Sequence, residues 1–188
     1  KLSDTFKSVK KTDISNHTIK TYLDYFEDSF LIQNSLRYDV KGKKYINTPS
    51  KYYFTDIGLR NARLNFRQLE ENHIMENIIY NELKIRGFSV DVGVVTLNTK
   101  DADGKSIRKQ LEIDFICNKG DQKYYIQSAF RMDTEEKEKQ ELRSLNSLDD
   151  SFKKIIVLRN KELMTKDEKG YLRIGLLDFL LNDNSLDL

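Results

Sequence analysis

Two acids, Glu112 and Asp114, stand two residues apart in the run LEIDFI. Side chains alternate between faces along a strand, so both carboxylates project to one side. The next extended run, KYYIQSAF, places Gln127 and Ala129 on a common face in the same way. Upstream, the run EENHIMENIIYNELKIRGF carries Glu76 on the shoulder of an apolar helical stripe and Glu82 near its centre. Half-buried carboxylates are costly unless they are paired or hold a cation. An acid on a first helix, an Asp on a middle strand and a pair two apart on the next strand is where metal-dependent nucleases gather hard-cation ligands. A plainer alternative is that Glu112 and Asp114 solvate a strand edge while Glu76 pairs with a neighbouring Lys or Arg.

Other chemistries have little to draw on. With one cysteine, Cys117, and two histidines, His17 and His73, the 188 residues lack a disulfide framework, a cysteine-based zinc site and the makings of a catalytic triad. Both histidines read as surface residues. The tetrapeptide Asp103-Gly104-Lys105-Ser106 mimics the end of a phosphate-binding loop, but the glycine required five residues before Gly104 is Thr99, and the segment reads as a polar hairpin turn. No apolar run approaches 18 residues, and the first residues are polar, so neither a membrane span nor a signal peptide is expected and a cytoplasmic protein is the default. The opening residue is Lys1 rather than methionine, which suggests a piece of a longer chain.

The elements that must position these residues fall into two parts of opposite charge. Residues 1–67 hold 13 Lys and Arg against 7 Asp and Glu, a net +6, whereas the remaining 121 hold 19 against 23, a net −4. In the first part, Ile19, Tyr22, Leu23, Phe26 and Phe30 recur at helical spacing behind a Ser15 or Asn16 cap. Leu36, Tyr38 and Val40 then alternate with polar residues, KGKK supplies a turn, and the chain resumes at Tyr45 and Ile46, which is the pattern of a hairpin. Lys41, Lys43 and Lys44 sit at its tip with Arg37 and Lys51 nearby, a basic set suited to phosphates. KYYFTDIGLR reads as an aromatic strand running into a turn at residues 56–58. A short helix near residues 3–10 completes what can be seen of a partial winged-helix segment.

From residue 70 the order is α-β-β-β-α-β: a helix to Gly87, extended runs at 89–97, 108–118 and 123–130, a helix opened by Thr134 that carries Leu142, Leu145 and Leu148, and a short apolar strand, KKIIVLR, of the parallel buried type. A strand and a closing helix lie in YLRIGLLDFLLND. The ten Tyr and ten Phe, among them Tyr52-Tyr53-Phe54 and Tyr124-Tyr125, can stack on bases, but at strand spacing they serve packing first.

The runs TIKTYLDYFEDSFLIQNSLRYDVKGKKYI, KYYFTDIGLRNA, MENIIYNEL, RGFSVDVG, LEIDF and KYYIQSA together resemble the C-terminal region of a family of bacterial and archaeal AAA+-type ATPases. The resemblance covers roughly residues 15–182. It implies a fold of class α/β (α+β), with a partial winged-helix segment over 1–67 and a restriction-endonuclease-like, PD-(D/E)xK, domain over 68–188. It implies an ATPase module elsewhere in the parent protein, so ATP would be bound there and this chain would carry no cofactor. It makes Glu76 the helix acid and Asp114 the central acid, and puts Gln127 and Ala129 at the acid and lysine of (D/E)xK. Those two depart from the nuclease pattern, because Gln127 offers no charge and Ala129 no ammonium beside a scissile phosphate. The expectation is a vestigial pocket without catalysis, able at most to hold Mg²⁺ weakly through Asp114 and Glu76. Lys123, Lys139 and Arg131 are the candidates for a displaced cation. The expected role is a recognition or regulatory region, with DNA or RNA and the parent's ATPase module as partners; the rivals are a divergent Mg²⁺-dependent nuclease and a protein-interaction module.

Overall fold

The structure is a computed structural model that describes residues 2–47, 49–100, 104–160 and 164–187. Thr48 and the Asp103 of the DGKS turn lie outside the described residues. The first helices are α1 (Leu2–Lys10) and α2 (Asn16–Asp28). Ser15 caps α2, its hydroxyl accepting from the Thr18 amide at 3.0 Å. The apolar stripe forms as a helix but is not covered, for no residue of α2 is buried and Tyr22, Tyr25 and Phe26 are exposed.

Four short strands follow: β1 (Ile32–Ser35), β2 (Arg37–Asp39), β3 (Lys44–Tyr45) and β4 (Lys51–Phe54). β2 and β3 form the expected hairpin, with Tyr38 opposite Tyr45. The hairpin does not stand alone: β2 also pairs in parallel with β5 (Ser89–Lys100), Arg37 facing Val92, while β1 pairs with β4 in a separate two-stranded sheet. Residues 1–67 and 68–188 therefore contribute strands to one sheet. Where the sequence suggested a turn at 56–58, Asp56 instead caps a helix, α3 (Ile57–Arg63), accepting from the Leu59 amide at 3.0 Å.

After α4 (Glu71–Ile85), the long antiparallel strands β5, β6 (Ser106–Lys119) and β7 (Gln122–Ala129) form the centre of an eight-stranded sheet of order β3-β2-β5-β6-β7-β8-β10-β9. α5 (Glu135–Glu141) ends sooner than expected, and a single 3₁₀ turn over Leu145–Ser147 carries the chain on, yet Leu142, Leu145 and Leu148 are buried as the periodicity required. β8 (Lys153–Leu158) runs parallel to β7, as its continuous apolar run indicated. β9 (Thr165–Lys166), β10 (Leu172–Gly175) and α6 (Leu176–Leu181) complete the chain.

The result is an α+β fold with a mixed sheet between two apolar layers. One layer joins Met75, Ile79 and Leu83 of α4 and Phe179 of α6 to Phe115, Cys117 and Ile126. The other joins Leu142 and Leu145 to Ile113, Ile116, Tyr125 and Ala129. Among the described residues no helix is long and apolar enough to cross a membrane.

Between β5 and β6 the register slips by one. Asp91 faces Ile116 but Gly93 faces Ile113, so β6 advances three residues while β5 advances two. This bulge lies at Asp114. It explains why Ile113 and Ile116 share one apolar layer while Phe115 and Cys117 occupy the other. Gly93 lets the strands approach, since a Cβ there would stand 2.9 Å from the Ile113 Cβ.

Candidate functional site

Glu76, Asp114 and Gln127 line one open cleft of about 570 Å³, together with Asn72, Arg131 and Gln140. Each reaches it from a different element. On α4, Met75 and Ile79 turn inward and leave Glu76 at the helix edge facing β4 and β6. On β6, the bulge directs Asp114 toward the end of β7, where its Oδ2 accepts from the Ser128 amide at 2.8 Å. The register Phe115 to Ile126 makes Gln127 the next neighbour of Asp114 across the strands.

At the centre of the acids lies Lys51. Its ammonium is 2.7 Å from Glu76 Oε1, 2.6 Å from Glu112 Oε1 and 3.9 Å from Asp114 Oδ1. Lys51 and Tyr53 alternate onto the same face of β4, and the Tyr53 hydroxyl donates to the same Glu76 oxygen at 2.7 Å. Arg37 closes the far side, its Nη1 2.5 Å from Glu112 Oε2 while its Nε donates to the Pro49 carbonyl at 2.9 Å. The pairing of Glu76 with a basic side chain is the plainer of the two readings that the sequence allowed, and the base comes from 25 residues upstream.

Electrostatics follow the geometry. Burial, with the Glu76 charge beside it, pushes the Asp114 carboxyl up to about 8, although Lys51 and the Ser128 amide oppose the shift. Burial also works against ionised Glu112, but Lys51 and Arg37 outweigh it and hold this carboxyl below its ordinary range. Burial disfavours the Lys51 ammonium, and Glu76 and Asp114 more than compensate, so its pKa is raised. Burial first, and the Glu76 charge second, pushes the Tyr53 hydroxyl far up, leaving it a hydrogen-bond donor.

Gln127 is 7% exposed, and its Oε1 has no hydrogen-bond partner among the described residues. Ala129 is buried in the apolar layer with Leu142, Leu145 and Ile156 and does not line the cleft. Neither suggested lysine enters the cleft: Lys123 lies over the Phe152 ring at 4.8 Å and Lys139 pairs with Glu135. Arg131 does line it. Glu82 is turned to Arg86, at 2.8 Å. Among the described residues no group of three or more His, Cys, Asp and Glu is placed to hold a metal ion. A divalent cation between Glu76, Glu112 and Asp114 would have to share its place with the Lys51 ammonium, so the residues as arranged do not fit Mg²⁺.

The basic set predicted for phosphates divides. Lys41, Lys43 and Lys44 are exposed at the hairpin tip, where Asp39 accepts from the Gly42 amide and shapes the turn. Arg37 and Lys51 belong to the carboxylate network instead. Three of the strand aromatics serve packing: Tyr53 stacks on Tyr80 with centroids 4.0 Å apart, and Tyr124 and Tyr125 are buried. His73 is exposed beside Glu70, His17 is exposed, and Cys117 is sealed in the core.

Compared with known proteins, residues 5–70 match the model of a domain of unknown function, DUF8612, a stretch that begins within α1 and takes in α2, the hairpin and α3. An uncharacterized protein of Haemophilus influenzae is 37% identical over 157 residues, covering 84% of this chain and 35% of its own. Uncharacterized protein MJ1544 of Methanocaldococcus jannaschii is 31% identical over 170 residues, covering 89% of this chain and 34% of its own. No solved structure matches. The chain spans about a third of the length of the curated relatives it matches.

Proposed function

We propose that this chain is a non-catalytic recognition or regulatory region, the C-terminal part of an AAA+-type ATPase, built on a restriction-endonuclease-like core that has lost its metal chemistry. The observation that carries this reading is Lys51. Its ammonium sits between Glu76 and Glu112 at 2.7 and 2.6 Å and neutralises the acids that would otherwise attract a divalent cation. A lysine held by two carboxylates on the inner face of β4 stabilises the fold, whereas phosphodiester hydrolysis needs a cation and a positive group free to meet the phosphate. Gln127 and Ala129 remove the remaining acid and base. That two relatives are about three times as long supports a region within a larger protein, where ATP would be bound by the other module. A cytoplasmic location accords with the reading.

Nucleic acid is the ligand that the hairpin tip suits, since Lys41, Lys43 and Lys44 are exposed at the hairpin that forms one edge of the sheet. The test is an assay of the purified chain on duplex DNA and on RNA with Mg²⁺ or Mn²⁺, paired with a binding titration over a salt series. The expected result is weak, salt-dependent binding without cleavage. Metal-dependent cleavage abolished by Asp114→Asn would replace this proposal with the divergent nuclease, and the absence of any binding would leave a protein-interaction module as the better reading.

A further inference from the structure

The helix α2 is capped by Ser15 and runs for 13 residues, yet none of them is buried, and Ile19 and Leu23 are only half-buried. By contrast α4, of 15 residues, buries Met75, Ile79, Tyr80 and Leu83. A lone helix as short as α2 is marginal in water, and burial of an apolar face is what holds such helices in proteins. Tyr22, Tyr25 and Phe26 share a face of α2 and are 55%, 61% and 45% exposed. Phe30 follows one turn on, just past the Ser29 cap, and is 80% exposed. Its φ is +59°, the left-handed region in which a helix end usually carries glycine. A phenylalanine there strains the backbone and gains little burial within this chain. The shortfall is local: among the described residues, 13 of the 18 exposed large apolar side chains precede residue 70, in the stretch that the family model matches.

On the reading of this chain as a region of a longer protein, we propose that the aromatic face of α2 packs against a segment of the same polypeptide that lies outside these 188 residues. Two observations select that occupant. The match to MJ1544 takes in 89% of this chain, which at any placement includes residues 25–30, and accounts for 34% of that protein. The matching stretch of that relative therefore shares its polypeptide with about twice as much further chain. Size gives the second argument. With roughly 200 Å² for an aromatic side chain, the exposed fractions of these four amount to roughly 500 Å² on one side. An interface of about 1,000 Å² over both sides falls within the range of about 600–1,500 Å² for domains of one chain. It falls short of the roughly 1,200–2,000 Å² of stable complexes between separate molecules. A tethered segment suits the face better than a second copy, because its effective concentration reaches about the millimolar range without any association from dilution. The covering surface is apolar, with hydrogen-bond acceptors at its rim for the Tyr22 and Tyr25 hydroxyls.

The test compares amide hydrogen exchange in the 188-residue chain and in the full-length polypeptide that contains it, with sedimentation of both over a concentration series. The amides of α2 exchange at least tenfold more slowly in the full-length polypeptide, those of the exposed hairpin tip exchange alike in both, and the 188-residue chain stays monomeric. Phe30→Gly relieves the left-handed strain, so it raises the unfolding midpoint of the 188-residue chain, yet it reduces the slowing of α2 in the full-length polypeptide at least threefold. Tyr25→Asp reduces that slowing likewise and leaves the midpoint of the 188-residue chain unchanged. The proposal is overturned if α2 exchanges equally fast in both, if neither variant alters the slowing, or if Phe30→Gly lowers the midpoint of the 188-residue chain. A concentration-dependent dimer of the 188-residue chain that Tyr25→Asp abolishes would also overturn it, making a second copy the occupant. Each of these results leaves the functional reading standing, which fails separately if the full-length polypeptide binds no ATP.

Discussion

Replacing Lys51 with methionine removes one charge and keeps the length of the stem, so it isolates what the ammonium does among Glu76, Glu112 and Asp114. The side chains of Lys51, Glu76, Glu112 and Asp114 are 28%, 16%, 33% and 14% exposed. Breaking a fully buried pair costs about 3–5 kcal/mol, because the partner charge is left without compensation. Partial access of water to Glu112 reduces that, and about 3 kcal/mol is expected for Lys51→Met at pH 8. With a urea dependence of roughly 2–3 kcal/mol/M for a chain of this size, the unfolding midpoint should fall by about 1–1.5 M. At pH 5 the loss should be smaller, since protonation of Asp114 already relieves the repulsion. Glu76→Gln in the Lys51→Met background should cost less than in the unsubstituted chain, with a coupling of about 1 kcal/mol or more. A midpoint shift under about 0.2 M, or additive single and double variants, would refute the view that Lys51 is the internal counter-ion of this cluster.

Asp114 binds its proton more tightly in the folded chain than in the unfolded one, so between its ordinary range and about 8 its contribution to stability falls as pH rises. Glu112, with a depressed pKa, acts only below that range, and Lys51, with a raised one, only at strongly alkaline pH. Asp114→Asn should therefore flatten the stability profile between pH 5 and 8, by up to roughly 1.4 kcal/mol per pH unit, in urea melts across that interval. Gly93→Ala would place a methyl 2.9 Å from the Ile113 Cβ and should destabilise by about 1–3 kcal/mol, read as a lowered melting temperature. Neutralising Lys41, Lys43 and Lys44 together should reduce the salt dependence of duplex binding by roughly one logarithmic unit for each phosphate no longer neutralised, with little change in stability because all three are exposed.

The elements of the second half were legible because their patterns are strong. The β-branched and aromatic richness of β5 to β7 and the unbroken apolar run of β8 each reflect a sheet buried by two layers. The gathering of Glu76, Asp114 and Gln127 followed from the order of elements. Three features were not legible, and each depends on a neighbour distant in sequence. β2 adds in parallel to β5, Arg37 facing Val92, and nothing in RYD specifies that partner. The bulge at Asp114 leaves the sequence pattern of LEIDFI intact while changing which layer its neighbours enter. Lys51 read as part of a basic tip because five cations lie between positions 37 and 51, yet its place beside Tyr53 on alternate positions of β4 carried a signal: a lysine sharing a strand face with a buried tyrosine must find an acid. The stripe of α2 shows the converse, a clear helical pattern whose apolar face the described residues do not cover.

Whether the Lys51 ammonium holds the place a metal ion would take is decided by calorimetric titration of Mn²⁺ into the unsubstituted chain and into Lys51→Ala. The first should show no saturable binding below the millimolar range and the second a gain of at least tenfold in affinity, lost again when Asp114→Asn is added. Saturable micromolar binding of Mn²⁺ to the unsubstituted chain, unaffected by Lys51→Ala, would contradict it.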